Sequence, residues 1–342
     1  MEKTMSGVLI EAVLRTTLKK LKDDPQRGIR NLVDMGLRFS RTPFQQRFFR
    51  RAQAMLENED SPYYDLVRDL FTYADTDRLL RVGMDLGYHG CVCGSRQIRD
   101  SERRLGCRVP WTVLFQMDAS SPDRLEQYDA TVSEGEGLGI YSWLLFPAAA
   151  PEGILDLVRA HPASAFFLFC EPEYVLPGLT DSFTELQNLV PVLRCREDME
   201  IECTRLRGAG IPYCVWYPYS REDLPAIRGG DLLVTAQQAR PVFTILVPRP
   251  DCQDAVRCQA GQAVERARNE QFCRTIPLEL EWDGLNIQRI ISGGASPVCF
   301  DPSGHPLSRD GGVLSPAVSL FTDGLTGAFH VACGGNASEV SA

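Results

Sequence analysis

Twelve cysteines carry the most obvious chemical potential in this chain of 342 residues. Thiolates ligate zinc and iron and act as nucleophiles, so their spacing decides what they can do. They lie at Cys91, Cys93, Cys107, Cys170, Cys195, Cys203, Cys214, Cys252, Cys258, Cys273, Cys299 and Cys333. No pair is spaced Cys-x-x-Cys and no trio Cys-x3-Cys-x2-Cys, so neither a zinc ribbon nor a thioredoxin-type pair is indicated. Cys170, Cys195 and Cys214 fall in apolar runs, where a thiol behaves as a small hydrophobe. Cys91 and Cys93 stand beside His89 in a glycine-rich stretch, Gly87–Gly94, that reads as turns. A complete metal site needs about four ligands, which this stretch does not supply. Structural disulfides are not expected in a reducing compartment.

A second set of reactive groups closes the apolar runs of the chain. Asp118, Glu171, Glu173, Arg194, Arg196, Tyr217, Tyr219, Arg249, Glu281 and Asp283 each stand at or near the end of such a run. If the runs are parallel strands, these groups gather at the strand C-termini, where parallel barrels carry their function. Asp118, Glu171, Arg194, Tyr217 and Glu281 are the first candidates to face a common mouth. Paired carboxylates with arginines and tyrosines bind polar ligands or separate two pKa values for acid–base work. Charged groups also surface at strand ends with no function, bridging loops as ion pairs. No fixed-spacing motif singles any of them out. There is no Ser-His-Asp or Cys-His set, P-loop or dinucleotide fingerprint.

The elements that must position these groups are legible from periodicity. Residues 1–106 read as wholly helical, with stripes at Leu14, Leu18 and Leu21; Ile29, Leu32 and Val33; Phe44, Phe48, Ala52 and Met55; and Leu66, Val67, Leu70 and Phe71. Pro25, Pro43 and Pro62 suit helix starts. Arg47, Arg50 and Arg51 read as a solvated helix face balanced by Glu57, Glu59 and Asp60. From Cys107 the pattern alternates. Strand-like runs occur at Trp111–Asp118, Gly139–Phe146, Ala165–Glu171, Leu189–Cys195, Pro212–Tyr219, Val242–Val247 and Ile276–Trp282, with helical patterns between most of them. His161 before Pro162 reads as a helix terminator. Ile287–Pro306 reads as a hairpin around Asp301-Pro302-Ser303-Gly304, and the chain beyond Ser308 as a loose tail. The division is a helical region over 1–106, a partial (β/α) barrel over 107–286, and a hairpin and flexible tail over 287–342.

Composition narrows the function classes. Hydrophobic residues make up 44% and charged residues 24%, as in a globular chain with a sizeable core. A net charge of −9 argues against nonspecific nucleic-acid binding. No run approaches the roughly 20 apolar residues of a membrane span. Met1–Lys22 lacks a signal peptide's continuous apolar segment, so a cytoplasmic location is expected.

The order of several short motifs resembles a subgroup of bacterial radical S-adenosylmethionine proteins. The resemblance begins at Cys107-Arg108-Val109-Pro110-Trp111, which leads into the first strand. It continues at Glu136-Gly137-Leu138-Gly139-Ile140-Tyr141, His161-Pro162 with Phe166–Phe169, Asn188-Leu189-Val190-Pro191-Val192 and Gly210-Ile211-Pro212-Tyr213. It ends with Thr275-Ile276-Pro277-Leu278, Ser292-Gly293-Gly294 and the Asp301–Gly304 turn. It implies a helical N-terminal region, a partial parallel α/β barrel of six or seven strands, and a short C-terminal hairpin.

The departures bear on function. Such enzymes place Cys-x3-Cys-x2-Cys after the first strand, holding a [4Fe–4S] cluster whose fourth iron chelates S-adenosylmethionine. Here Trp111–Asp118 is followed by Ala119, Ser120 and Ser121, and Ser121-Pro122 already opens a helix. The family's Gly-Gly-Glu-Pro corresponds to Phe146-Pro147-Ala148-Ala149-Ala150-Pro151, without a carboxylate. Its C-terminal cysteines correspond to Ile290 or Ile291 and to Leu307 or Ser308. The resemblance therefore implies a pseudoenzyme without catalytic or metal-binding residues, expected to hold no cofactor. Its role would be binding or regulation, toward a protein such as an intact relative or toward a small polar ligand. The alternative is an enzyme with an atypical cysteine-ligated [4Fe–4S] cluster and S-adenosylmethionine, or with metal-free chemistry at the barrel mouth.

Overall fold

Helices account for most of the described residues before the first strand, and three of them start at a proline. The computed structural model describes residues 5–21, 24–40, 43–119, 121–148, 151–291 and 298–333. Ser120, Ala149, Ala150, Ser292-Gly293-Gly294 and the last nine residues lie outside that set. The helices are α1 (Met5–Leu21), α2 (Pro25–Phe39), α3 (Pro43–Leu56), α4 (Pro62–Tyr73), α5 (Thr76–Gly83) and α6 (Ser95–Leu105). Pro25, Pro43 and Pro62 each open a helix, where a missing N–H costs nothing. Asp24 and Ser61 cap α2 and α4 by accepting from the Arg27 and Tyr63 amides.

Leu18 and Leu21 of α1 pack with Leu80 and Met84, and Leu14, Ile29, Leu32, Val67 and Phe71 surround them. The third expected stripe is rotated. Phe48 is 57% exposed, whereas Leu56 is buried and Phe49 packs against Gly36 of α2. Only a residue without a Cβ admits that ring, so the Gly36 notch sets which face of α3 turns inward. Gly87–Gly94, expected as turns, lies within a π-helical segment, Met84–Gly94. Its buried face, with Asp85, Gly90 and Gly94, seats on the base of the barrel near Trp111 and Tyr141.

The barrel alternates strand and helix. It runs β1 (Thr112–Met117), α7 (Pro122–Leu138), β2 (Ser142–Pro147), α8 (Ile154–Ala160), β3 (Ala165–Cys170), α9 (Pro177–Glu185), β4 (Leu189–Arg194) and α10 (Glu200–Gly208). It continues with β5 (Cys214–Tyr219), α11 (Leu224–Gly229), α12 (Asp231–Ala236), β6 (Phe243–Pro248), α13 (Asp254–Glu270), β7 (Ile276–Glu279) and α14 (Leu280–Ile291). The C-terminal part adds β8 (Val298–Phe300), β9 (Pro306–Leu307) and α15 (Leu320–Cys333).

These strands form one curled, nine-stranded half-barrel in the order β7-β6-β5-β4-β3-β2-β1-β8-β9, parallel except for the β8–β9 pair. The expected seven strands and hairpin are present. The hairpin does more than trail the barrel, because β8 pairs in parallel with β1, Val113 opposite Val298 and Phe115 opposite Phe300. Two expected boundaries move. β7 ends at Glu279, whose carboxylate accepts the Trp282 amide and starts α14, so Glu281 and Trp282 are helical. Ile287–Ile291 likewise belong to α14 and not to the hairpin. The chain beyond Ser308 is not loose throughout. Leu325, Ala328 and Phe329 of α15 are buried, and Glu134 of α7 accepts the Leu325 and Thr326 amides at 2.9 and 3.1 Å.

Several contacts join the helical region to the barrel. Arg78 of α5 reaches the backbone around β4, and the Asp75 amide donates to the Gly210 carbonyl at 2.9 Å. Near the start of β2, Gly94 and Gly139 meet backbone to backbone. Gly139 has φ 102°, and a Cβ there would lie 2.6 Å from the Gly94 carbonyl oxygen. Gly139→Ala should therefore cost about 2 kcal/mol or more, by left-handed strain plus backbone clash, read as a lowered urea midpoint. His161 caps the end of α8 as expected, and its ring sits 3.2 Å from Asp129 and 3.4 Å from Glu136. Burial disfavours its charged form, but the two carboxylates outweigh that and raise its pKa.

Candidate functional site

Alternation in a parallel strand sends every second side chain to one face of the sheet. The helix-covered face takes Val113, Phe115, Trp143, Leu145, Phe166, Leu168 and Val215, all buried. The inner face takes Leu114, Leu144, Phe146, Phe167, Phe169, Val190, Val192, Cys214, Trp216 and Ile245, several of them only half-buried. Towards the strand C-termini three of these rings form an aromatic shelf. Phe146 and Phe169 stack at 4.1 Å between centroids, and Trp216 meets them edge-on at 5.8 and 6.0 Å. The Trp216 indole nitrogen is buried with no hydrogen-bond partner among the described residues. A donor left unmet in an apolar site costs free energy until an acceptor arrives.

The strand-end charges divide into two groups. The first borders the shelf. Arg194 lies 5.8 Å over the Trp216 ring and donates to Glu171 at 3.1 Å. Arg196 bridges Glu171 at 2.5 Å and also holds Glu173. Glu171, Glu173, Arg194 and Arg196 thus make one network at the ends of β3 and β4. Asp118 follows β1 and is exposed. The second group lies under α13 and α14. Tyr219 donates to Glu279 at 2.9 Å, and both are buried. Glu281 holds Arg257 at 2.5 Å and Arg309 at 2.7 Å, while Asp283 holds Arg268 at 2.7 Å. Tyr217 is half-buried on the helix-covered side beside the Tyr219 cluster, and the Arg249 amide donates to the Tyr219 carbonyl.

The ten expected residues are therefore not one site. Odd and even positions of a strand leave on opposite faces, so Tyr217 and Tyr219 turn away from the shelf that holds Trp216. Glu279 is not among the expected residues. Burial drives its carboxyl up to about 7, and the hydrogen bonds from Trp282 and Tyr219 offset only part of that. A strand reading that runs through Trp282 hides it, whereas an acid closing a strand just before a helix is a recognisable N-cap signal. Sequence reasoning also misses the shelf. Its signal is an aromatic residue on the same face of β2, β3 and β5, with β4 between the last two, which needs the strand order to be seen.

The cysteines are distributed, not gathered. Among the described residues no three His, Cys, Asp or Glu side chains converge as metal ligands would. Burial pushes Cys170, Cys214, Cys299 and Cys333 up to about 12 and Cys91 and Cys203 to about 11. His89, beside Cys91 and Cys93, places Nδ1 3.0 Å from Asp85 and 3.2 Å from the Ala163 carbonyl.

No protein-family profile matches the sequence, and no curated protein does. Among solved structures, the chain is similar to Streptococcus suis SuiB bound to its precursor peptide SuiA. The TM-score is 0.51 at 8% identity, over 68% of this chain and 67% of that one. SuiB alone and SuiB bound to S-adenosylmethionine align with TM-scores of 0.49 and 0.48 at 9% and 8% identity. They cover 68% of this chain in each case, and 68% and 66% of theirs. The likeness is one of fold. The half-barrel is the architecture that the motif resemblance implied, with a helical region placed before it. No described helix is long and apolar enough to cross a membrane.

Proposed function

We propose that this chain is a radical S-adenosylmethionine-like protein without a cluster site, acting by binding a partner or ligand on the inner face and not by radical catalysis. The observation that carries the reading is the connection from β1 to α7. Met117 closes the strand and Pro122 opens the helix, leaving Asp118, Ala119, Ser120 and Ser121 between them. Ser121 is committed to capping α7, accepting from the Arg124 amide at 3.3 Å. An eight-residue cysteine motif has no length to occupy here. Thiolates hold iron–sulfur clusters, and the donors at this position are a carboxylate and hydroxyls. The donor set does not suit a cluster.

What favours binding is the shelf: stacked rings, an unmet indole N–H and a paired arginine–glutamate border. Such a surface takes a flat or extended group that offers an acceptor to Trp216. SuiB in complex with a precursor peptide is an instance of this fold engaging a polypeptide. Metal-free acid–base chemistry has one tuned candidate, the Tyr219–Glu279 pair. That pair is buried beneath α13 and α14, away from the shelf, and does not reach a ligand held there.

Anaerobic reconstitution with iron and sulfide tests the reading. The protein should stay colourless and retain no stoichiometric iron. About four irons per chain with charge-transfer absorption would overturn it.

A further inference from the structure

The charge of this protein is strongly segregated. Residues 171–208, through the end of α10, hold eight carboxylates and four arginines. They form the rim around α9 and α10. Glu173, Asp181, Glu185, Glu197, Asp198 and Glu200 are exposed there. Two large apolar side chains stand among them, Leu176 at 59% exposure and Ile201 at 67%. They belong to one surface, because Arg205, one turn beyond Ile201, donates to the Val175 carbonyl beside Leu176. Together they offer apolar area within an acidic surface that a contact can cover.

The complementary surface lies on the same chain. Residues 38–51 contain five arginines and no acid. On α3 they present Arg47, Arg50 and Arg51 with Phe48, all exposed. Phe48 is turned outward because Phe49 takes the Gly36 notch. The two surfaces cannot meet within one molecule. Arg51 ties α3 to α13 through Glu265 at 3.0 Å and Asn269 at 2.6 Å, beside the β7 edge. α9 and α10 flank β4, three strands away.

We infer that the acidic, apolar rim of α9 and α10 docks the basic, apolar face of α3 from a second copy of this chain. Two different surfaces meet in such a contact, so it is head-to-tail, and it propagates as an open chain or closes as a ring. Each contact pairs the arginines with Asp198, Glu200 and their neighbours and covers Phe48 with Leu176 and Ile201. The charges lie at the surface, so association falls with ionic strength. Such docking does not depend on whether the inner face binds a ligand or a cluster.

Sedimentation velocity across a concentration series tests it with three proteins: the full chain, an acidic-face variant (Asp198→Lys, Glu200→Lys, Ile201→Ser) and a basic-face variant (Arg47→Glu, Arg50→Glu, Phe48→Ser). The unaltered chain should rise above its monomer mass of 38.1 kDa as concentration increases at low salt, and return to it at high salt. Each variant alone should stay monomeric. Mixed together, the two retain one intact face each and should form a dimer that grows no further. A monomeric unaltered chain at every concentration overturns the inference, as do variants that associate like it or a mixture that fails to pair. If a triple variant loses its cooperative melt, single Phe48→Ser and Ile201→Ser variants carry the same test, because both side chains are exposed.

Discussion

Arg78→Ala is expected to cost about 3–5 kcal/mol and to loosen the helical region from the barrel. Arg78 is only 2% exposed. Its guanidinium donates to the carbonyls of Leu186 and Phe183 at 2.6 Å each, and to those of Leu189 and Thr184 at 3.1 and 3.2 Å. These carbonyls end α9 and lead into β4, and those of Phe183 and Leu186 also accept the Leu186 and Leu189 amides at 3.1 and 3.3 Å. Burial lowers the Arg78 pKa to about 10, Asp75 opposing it, so the group stays charged at neutral pH. Removing it takes a donor from four carbonyls at once and opens a cavity. Arg78→Lys keeps the charge but loses the planar fork of five donors, and should recover less than half of the loss. Chemical denaturation checks this. A lowered midpoint at unchanged slope is expected, and a loss below about 1 kcal/mol would contradict the role assigned to Arg78.

Glu279 should make the protein less stable as pH rises from about 4.5 to about 7. Its ordinary value is 4.5 and its folded value is about 7, so the folded state holds the proton more tightly than the unfolded one. The stabilising contribution is complete below the unfolded pKa and is lost as pH rises through the folded pKa. At 1.36 kcal/mol per unit, the loss amounts to about 3 kcal/mol. Glu279→Gln removes the titrating group but keeps an acceptor for the Trp282 amide and a partner for Tyr219. The variant should therefore match the parent near pH 5 and exceed it by up to about 3 kcal/mol near pH 8. Denaturation midpoints of both proteins over that range decide it. Parallel pH profiles would place the Glu279 proton elsewhere.

Much of this architecture is legible in the chain itself. Pro25, Pro43 and Pro62 open helices, Ser121 caps α7, and seven apolar runs become β1 to β7. These signals are local: a cap reaches three residues, and a period of two or 3.6 is complete within a single element. Local signals fail where two faces of one element are both apolar. Phe48 and Phe49 are neighbours of the same type, and only the glycine notch of α2 chooses between them. Leu325, Ala328 and Phe329 have no partner in sequence, and α7 supplies one.

The site is legible in kind and not in membership. That charges gather at the strand ends follows from a parallel sheet. Which of them meet depends on strand order and side-chain parity. Arg194 and Trp216 oppose each other in register and share the inner face, while Tyr217 and Tyr219 leave on the other side. Glu279 becomes special only when α13, α14 and Tyr219 enclose it and withdraw the water that would have kept it ionised. By itself, then, the sequence determined the succession of helices and strands, the half-barrel they imply, and the length and composition of the β1–α7 connection. The tertiary structure alone decided the aromatic shelf, the ion pairs that flank it, the proton on Glu279 and the outward turn of Phe48. Each of those depends on distances between residues far apart in the chain, which neither periodicity nor spacing encodes.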